Sequence, residues 1–246
     1  MFKKLLLGLS LISPFSVLAH PHAFIDMQTK PLVKDNQLIG FSTQWLLDEA
    51  SSSAVLYDMM QTKGDKAAQQ KLVDEVMANV VNEHYFSYVF DKENHKIKYK
   101  KQPENYGMRV KGNEVEYYFD FILAQPQTLQ NNEFTLMTYD STYYVAMRYA
   151  EIGKRAVDFS ALPANCKGEV LEPNVDEKIK SYASSLDKSQ KNEDDSLGVL
   201  FAQKVKIKCE QKNEVKIDRT LYRLISDYFR LATLAFCASS RLAKSL

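Results

Sequence analysis

His20, Pro21 and His22 are the residues of this chain best suited to chemistry, because of what precedes them. Lys3 and Lys4 supply a positive start, residues 5–12 a short apolar run, and Val17-Leu18-Ala19 a small-residue cleavage pattern. Together these read as a cleavable export signal spanning residues 1–19. Cleavage after Ala19 is expected to release a periplasmic protein that starts at His20. Two of the chain's four histidines would then lie in its first three residues, beside a free α-amine. An α-amine ordinarily titrates near about 8 and an imidazole near about 6.5, so both can give up protons to a metal close to neutral pH. His20 offers its amine and its Nδ1 to the same ion, and His22 adds a second imidazole.

The residue between them excludes one geometry. The square-planar amino-terminal copper and nickel motif needs deprotonated backbone amides, and Pro21 has no amide proton to lose. Zinc prefers four ligands, and carboxylates can complete a nitrogen set. Asp48 and Glu49 are the candidate further donors. If a hairpin turns between Asp35 and Asn36, its register sets His22 opposite Glu49 and Ala23 opposite Asp48. Asp26 shares the His22 face of an extended strand but lies about 13 Å along it, too far for one coordination shell.

The remaining chemistry-bearing residues have plainer readings. His84, beside a helix end, and His95, in a turn, read as ordinary surface histidines. The only tryptophan, Trp45, sits in Gln44-Trp45-Leu46-Leu47-Asp48-Glu49 and reads as a core residue on a strand that enters an acidic first helical turn. Tyr139-Asp140-Ser141-Thr142-Tyr143-Tyr144 reads as an Asx-type turn with aromatic packing. No His-Glu-x-x-His, Gly-x-Ser-x-Gly or phosphate-cradling glycine loop appears, so nothing demands an enzyme. In an oxidising compartment two of the three cysteines are expected to pair. Cys166 and Cys209 are the expected disulfide, because each flanks an ordered segment while Cys237 lies in a dissimilar tail.

Elements must position these groups. Residues 22–33 and 38–47 alternate as two strands of a hairpin, and residues 48–61 turn helical. Asp65 is a candidate N-cap for a second helix carrying Leu72, Val73, Val76, Met77, Val80 and Val81 at helical spacing. Strands then dominate: 85–90 with 96–101, 106–111 with 115–123 around Gly112-Asn113, and 134–139 with 143–149 around residues 140–142. Short strands follow near Val157 and Val170, then a helical stretch over 175–186 and a polar linker over 187–196. A last strand over 199–209 has a lysine-rich face that suits a solvated or edge position. The expected fold is α+β, antiparallel and β-rich, sandwich-like, with two helices inserted after the first hairpin. Residues 20–212 form the expected domain. The tail over 213–246 has apolar positions at helical spacing, suited equally to a membrane surface, a partner helix or its own domain. The formal charge of +1 becomes −1 once Lys3 and Lys4 leave, which gives no footprint for nucleic acid.

Four segments together resemble a known family. They are His20-Pro21-His22-Ala23-Phe24-Ile25-Asp26, Trp45-Leu46-Leu47-Asp48-Glu49, the residues 139–144 and the spaced Cys166 and Cys209. They resemble a periplasmic family whose members are labelled the periplasmic component of an uncharacterised ABC-type transport system, with the zinc-utilisation ZevA-like branch the most similar. The resemblance covers roughly residues 20–210. It implies a metal-transport setting beside a membrane permease of the nickel/cobalt type. Two departures stand out: Ser141 replaces a proline common in relatives, and Gln61-Thr62-Lys63-Gly64-Asp65 replaces an acidic, calcium-loop-like stretch. The expected function is a periplasmic metal-binding accessory for zinc, or for nickel or cobalt, working with such a permease. Its rivals are a copper-dependent enzyme using the amino-terminal histidine and a metal-free docking module.

Overall fold

In the hairpin β1 (Ala23–Lys34) and β2 (Gln37–Leu47), the chain reverses at Asp35 and Asn36. Both adopt positive φ, 50° and 60°, the left-handed pair that a tight two-residue turn requires and that Asp and Asn tolerate. The protein is described by a computed structural model that covers residues 21–150, 156–186 and 196–211. The expected leader, His20, most of the expected polar linker, Cys237 and the tail lie outside the described residues.

Asp48 caps α1 (Glu49–Gln61) and Asp65 caps α2 (Lys66–Asn82), each side chain accepting backbone N–H groups of the first turn. A short 3-10 turn, His84–Phe86, leads into β3 (Ser87–Phe90) and β4 (Lys96–Ile97). There follow β5 (Glu104–Lys111), β6 (Glu114–Thr128), β7 (Asn132–Thr138), β8 (Val145–Arg148) and β9 (Cys166–Leu171). The described chain ends with α3 (Glu177–Ser185), α4 (Leu197–Phe201) and β10 (Lys204–Cys209).

The strands make two five-stranded sheets, β5-β6-β2-β1-β8 and β4-β3-β7-β10-β9. Every strand pair is antiparallel except β1 with β8. The α+β class and the antiparallel-rich sheets therefore stand as the alternation of apolar residues implied. One core joins the two sheets: Met27, Phe41, Trp45, Phe119 and Phe121 from the first, and Val89, Phe134, Leu136, Val205 and Ile207 from the second. The helix α2 buries Val73, Met77 and Val80 in that core, as its spacing implied. Hydroxyls sit within it: Tyr149 donates to Thr29 Oγ1 at 3.3 Å, Thr29 contacts Thr43 at 3.2 Å, and Ser87 contacts Thr138 at 2.9 Å. Paired this way, these buried hydroxyls do not stay unsatisfied.

Several expectations change. Residues 134–139 and 143–149 do not form a hairpin, because β7 joins the second sheet and β8 the first, alongside β1. Residues 96–101 change partner: Lys96 and Ile97 pair with β3, whereas Tyr99 bridges to Leu123 of β6. The last strand begins only at Lys204, since residues 197–201 are helical. That strand is also central, between β7 and β9. Its lysines mark a face, with Lys204 and Lys208 exposed, and not an edge.

The first hairpin carries the change that matters for the site. Near the turn, Lys34 pairs with Gln37 and Val33 with Leu38, the expected register. A bulge then inserts one extra residue on β2, so Leu32 pairs with Gly40 and Ile25 with Leu47. Gly40 is required there, because a Cβ would run into the Phe121 carbonyl oxygen of β6. Every pair beyond the bulge is one residue out of the expected register.

Candidate functional site

His22 stands just ahead of β1, and the chain holds its backbone firmly. Its N–H donates to the Tyr144 carbonyl at 2.9 Å, and its ring lies 5.0 Å from the Tyr144 ring, tilted at 46°. The loop that presents Tyr144 is organised by Asp140. Its carboxylate accepts from the Thr142 N–H and hydroxyl and from the Val145 N–H, at 2.9–3.1 Å. This is the Asx-type turn that the tyrosine-rich segment implied. Tyr143, at φ 58°, stacks on Phe201 of α4 with rings 4.1 Å apart.

Asp48 sits one residue away from its expected partner because of the bulge. Its N–H donates to the Phe24 carbonyl at 3.0 Å, and its Oδ2 accepts from the Phe24 N–H at 2.6 Å. The same carboxylate accepts from the Ser51 N–H at 2.7 Å and the Ser51 hydroxyl at 3.2 Å. Asp48 therefore closes the open end of the hairpin and caps α1 at once. Burial alone would raise its carboxyl; the hydrogen bonds from Ser51 and Phe24 outweigh that and hold it below its ordinary 3.8. A carboxyl whose folded value is depressed adds stability that is complete above the ordinary value and is lost as pH falls through the folded one. Asp48→Ala is expected to cost about 1–2 kcal/mol at neutral pH, as losses of N-cap side chains do. Asp48→Asn is expected to keep the cap while making stability flatter below about pH 4. Urea unfolding at pH 7 and pH 3 checks both. Equal acid sensitivity in wild type and Asp48→Asn would remove Asp48 from this role.

Glu49, the other candidate carboxylate, is exposed at the start of α1, and no hydrogen bond or ion pair engages its side chain among the described residues. The structure thus separates the two acids: Asp48 is committed to backbone, and Glu49 is open to solvent. Asp26 is committed as well, to Arg148 on β8 at 2.9 Å. Trp45 is buried in the core, with edge-on contacts to Phe119 and Phe86.

Sequence reasoning passed over one grouping. Among the described residues, the one set of three His, Cys, Asp or Glu side chains with ligand atoms all within 4.8 Å of one another is Asp91, Glu93 and His95. Its signal was the spacing in Asp91-Lys92-Glu93-Asn94-His95. The local bonds explain it as a turn: Asp91 Oδ1 accepts the N–H groups of Glu93 and His95 at 3.0 and 2.7 Å, and Oδ2 lies 3.3 Å from His95 Nδ1. A carboxylate with both oxygens engaged has little left for an ion.

The disulfide expected between Cys166 and Cys209 is present, joining directly opposed residues of β9 and β10 with Cα atoms 4.0 Å apart. Among the described residues, no helix is long and apolar enough to cross a membrane.

Comparison with known proteins shows the family. Residues 5–209 match the family model described as "Protein of unknown function (DUF1007)". An uncharacterised protein of Haemophilus influenzae is 65% identical over 207 residues, which covers 84% of this chain and 98% of that protein. No solved structure matches. With the family match spanning both sheets and both bridged cysteines, the chain belongs to the DUF1007 family.

Proposed function

We propose that this protein is a periplasmic metal-binding accessory that helps move or supply zinc, or nickel or cobalt, with a partner membrane permease of the nickel/cobalt type. The observation that carries the reading is the position of His20-Pro21-His22 at the expected mature start, directly ahead of a strand anchored on both sides. Tyr144 holds the His22 backbone and Asp48 holds Phe24. An anchored base that carries one histidine, with a second two residues beyond it, suits capture and release of an ion better than a closed cage does. The resemblance to the ZevA-like branch supports the transport setting.

The donor set fits a borderline metal such as zinc: an amine, two imidazoles and a carboxylate. His20 would supply its amine and Nδ1, and His22 its ring. Glu49 would be the fourth donor, because Asp48 already accepts hydrogen bonds from Phe24 and Ser51. The bound ion would supply no chemistry of its own here; it is cargo. Pro21 limits the conformations open to the end, and the amine and imidazoles must lose protons on binding, so affinity is expected to fall as pH is lowered.

The test starts with intact-mass measurement of the exported protein, which is expected to begin at His20. Zinc titration by calorimetry should then show one site. His20→Ala combined with His22→Ala should weaken binding roughly a hundredfold, about 2.7 kcal/mol. Placing one extra alanine ahead of His20 should weaken it as well, because the first-residue chelate is lost. Unchanged zinc affinity in the double variant would overturn the reading and favour metal-free docking.

A further inference from the structure

A cavity lies away from the amino terminus, where residues 96–101 pass from one sheet to the other. A cavity of about 620 Å³ opens there between the end of α2, His84 and the crossing segment. Its cations come from that segment, at Lys96, Lys98, Lys100 and Lys101, and no carboxylate is among its lining residues. Lys96 lies 4.1 Å from the centre of the Tyr88 ring, and Lys100 pairs loosely with Glu104 at 3.5 Å. No ion-pair partner engages Lys98 or Lys101 among the described residues. Residues two apart on an extended segment sit about 7 Å apart on one face, inside the range over which charges still act in salt. Lys96, Lys98 and Lys100 therefore repel one another, Lys101 follows directly on Lys100, and an anion placed among the four would relieve that repulsion.

The cavity does not end at the lysines. A second one of about 480 Å³ shares Val81, Asn82 and Lys101 with it and continues along α2 past Ala78 and Met77 to Pro103. The combined trough is cationic at one end and has an apolar wall along the helix. Its single acid, Asp74, is at the far end, where it accepts a hydrogen bond from the Tyr106 hydroxyl at 3.0 Å.

The turn beside the cationic end is held in a conformation that side chains rarely adopt. His84, Tyr85 and Phe86 take φ values of 52°, 58° and 48° in succession. Three such non-glycine residues in a row persist only where the surroundings impose them, and that kind of backbone strain concentrates at ligand clamps. Here Tyr85 is pinned by its buried ring and by its hydroxyl on the Lys100 carbonyl at 3.2 Å, which leaves His84 facing the cavity.

We propose that this trough binds a small amphiphile, one anionic headgroup joined to an apolar chain. The headgroup would sit among Lys98, Lys101 and His84, and the chain would lie along Val81 and Ala78. Lysines at a sheet edge also deter unwanted strand pairing, but that role requires neither the cavity nor an apolar wall leading out of it. The proposal is independent of the amino-terminal reading.

The experiment is calorimetric titration of the full chain with sodium dodecanoate below its micelle concentration. Wild type is expected to bind with saturation. Lys98→Ala with Lys101→Ala should bind roughly tenfold or more weakly, the loss expected for two charge-assisted contacts. Ala78→Trp, at an exposed helix position, should block the chain end and abolish binding. Both variants should keep the wild-type melting temperature. Dodecyltrimethylammonium, which reverses the headgroup charge, should not bind. Absence of saturable dodecanoate binding, wild-type affinity in either variant, or equal binding of the cationic detergent would each overturn the proposal. So would equally tight binding of inorganic phosphate alone. Cosedimentation with phosphatidylglycerol vesicles without uptake of monomeric dodecanoate would overturn it too, by making the lysines a membrane-facing patch.

Discussion

Cys166→Ala combined with Cys209→Ala is expected to lower the stability of this protein by about 4 kcal/mol, because a crosslink restricts the conformations open to the unfolded chain. The bridge spans a sequence separation of 43, and that long loop sets the magnitude. In a chain of this size the loss corresponds to a fall in melting temperature of roughly 8–16 °C. The location sharpens the expectation. Cys166 begins the edge strand β9 and Cys209 ends the central strand β10, so the bond fastens the edge to the sheet where the described chain leaves it. Just past it, Asn165 and Glu210 add two hydrogen bonds, at 2.7 and 2.9 Å. Thermal unfolding of wild type with and without a reductant, beside the double variant, makes the measurement. Melting temperatures that agree within about 2 °C would show that the native sheet, and not the crosslink, sets the edge.

Phe121→Ala is expected to cost about 3–5 kcal/mol, the range for removing a fully buried aromatic ring. Phe121 is 1% exposed and lies within 5.2–5.5 Å of the rings of Phe41, Tyr85 and Tyr99. It thus joins β2, the left-handed turn at residues 84–86 and the segment that crosses between the sheets. Its removal should weaken the contacts that hold Tyr85 at positive φ, so the loss should exceed that of an equally buried residue without such neighbours. Phe121→Leu, which keeps much of the apolar volume, should lose roughly half as much or less. Urea denaturation midpoints decide the matter. A loss below about 1.5 kcal/mol for the alanine variant would mean that the cluster refills the cavity and that Tyr85 is held by other contacts.

Much of the architecture was legible because it depends on neighbours in sequence. Asp35-Asn36 announced a tight turn, and both residues adopt the required positive φ. Asp48 and Asp65 announced helix starts, and both cap. Alternation in β1, β2 and β10 marked one buried face on each. What failed was pairing. Residues 140–142 looked like a hairpin turn, yet Asp140 bends the chain so that Val145 runs parallel to Ala23. Residues 199–203 continued an alternating pattern but became α4 and a connector. Gly198 packs there with its N–H on the Ser141 carbonyl at 3.0 Å, where a Cβ would strike the Asp140 carbonyl oxygen. Gln203 then supplies a side-chain amide to the Tyr149 backbone in place of a strand partner.

The candidate site divides along the same line. Residue order alone determined its donors: two histidines around a proline at an expected cleavage point, an acidic pair at the end of β2, and two cysteines flanking ordered segments. Which acid remains available was decided in three dimensions. At the bulge, Ile39 and Gly40, β2 passes close to the Phe121 carbonyl of β6, a residue some eighty positions away. That single insertion slides Asp48 onto the Phe24 backbone and leaves Glu49 in solvent. Side-chain alternation is a local property and can be read from the chain, whereas register is set by the partner a strand meets, and that partner is known only once the sheet has formed.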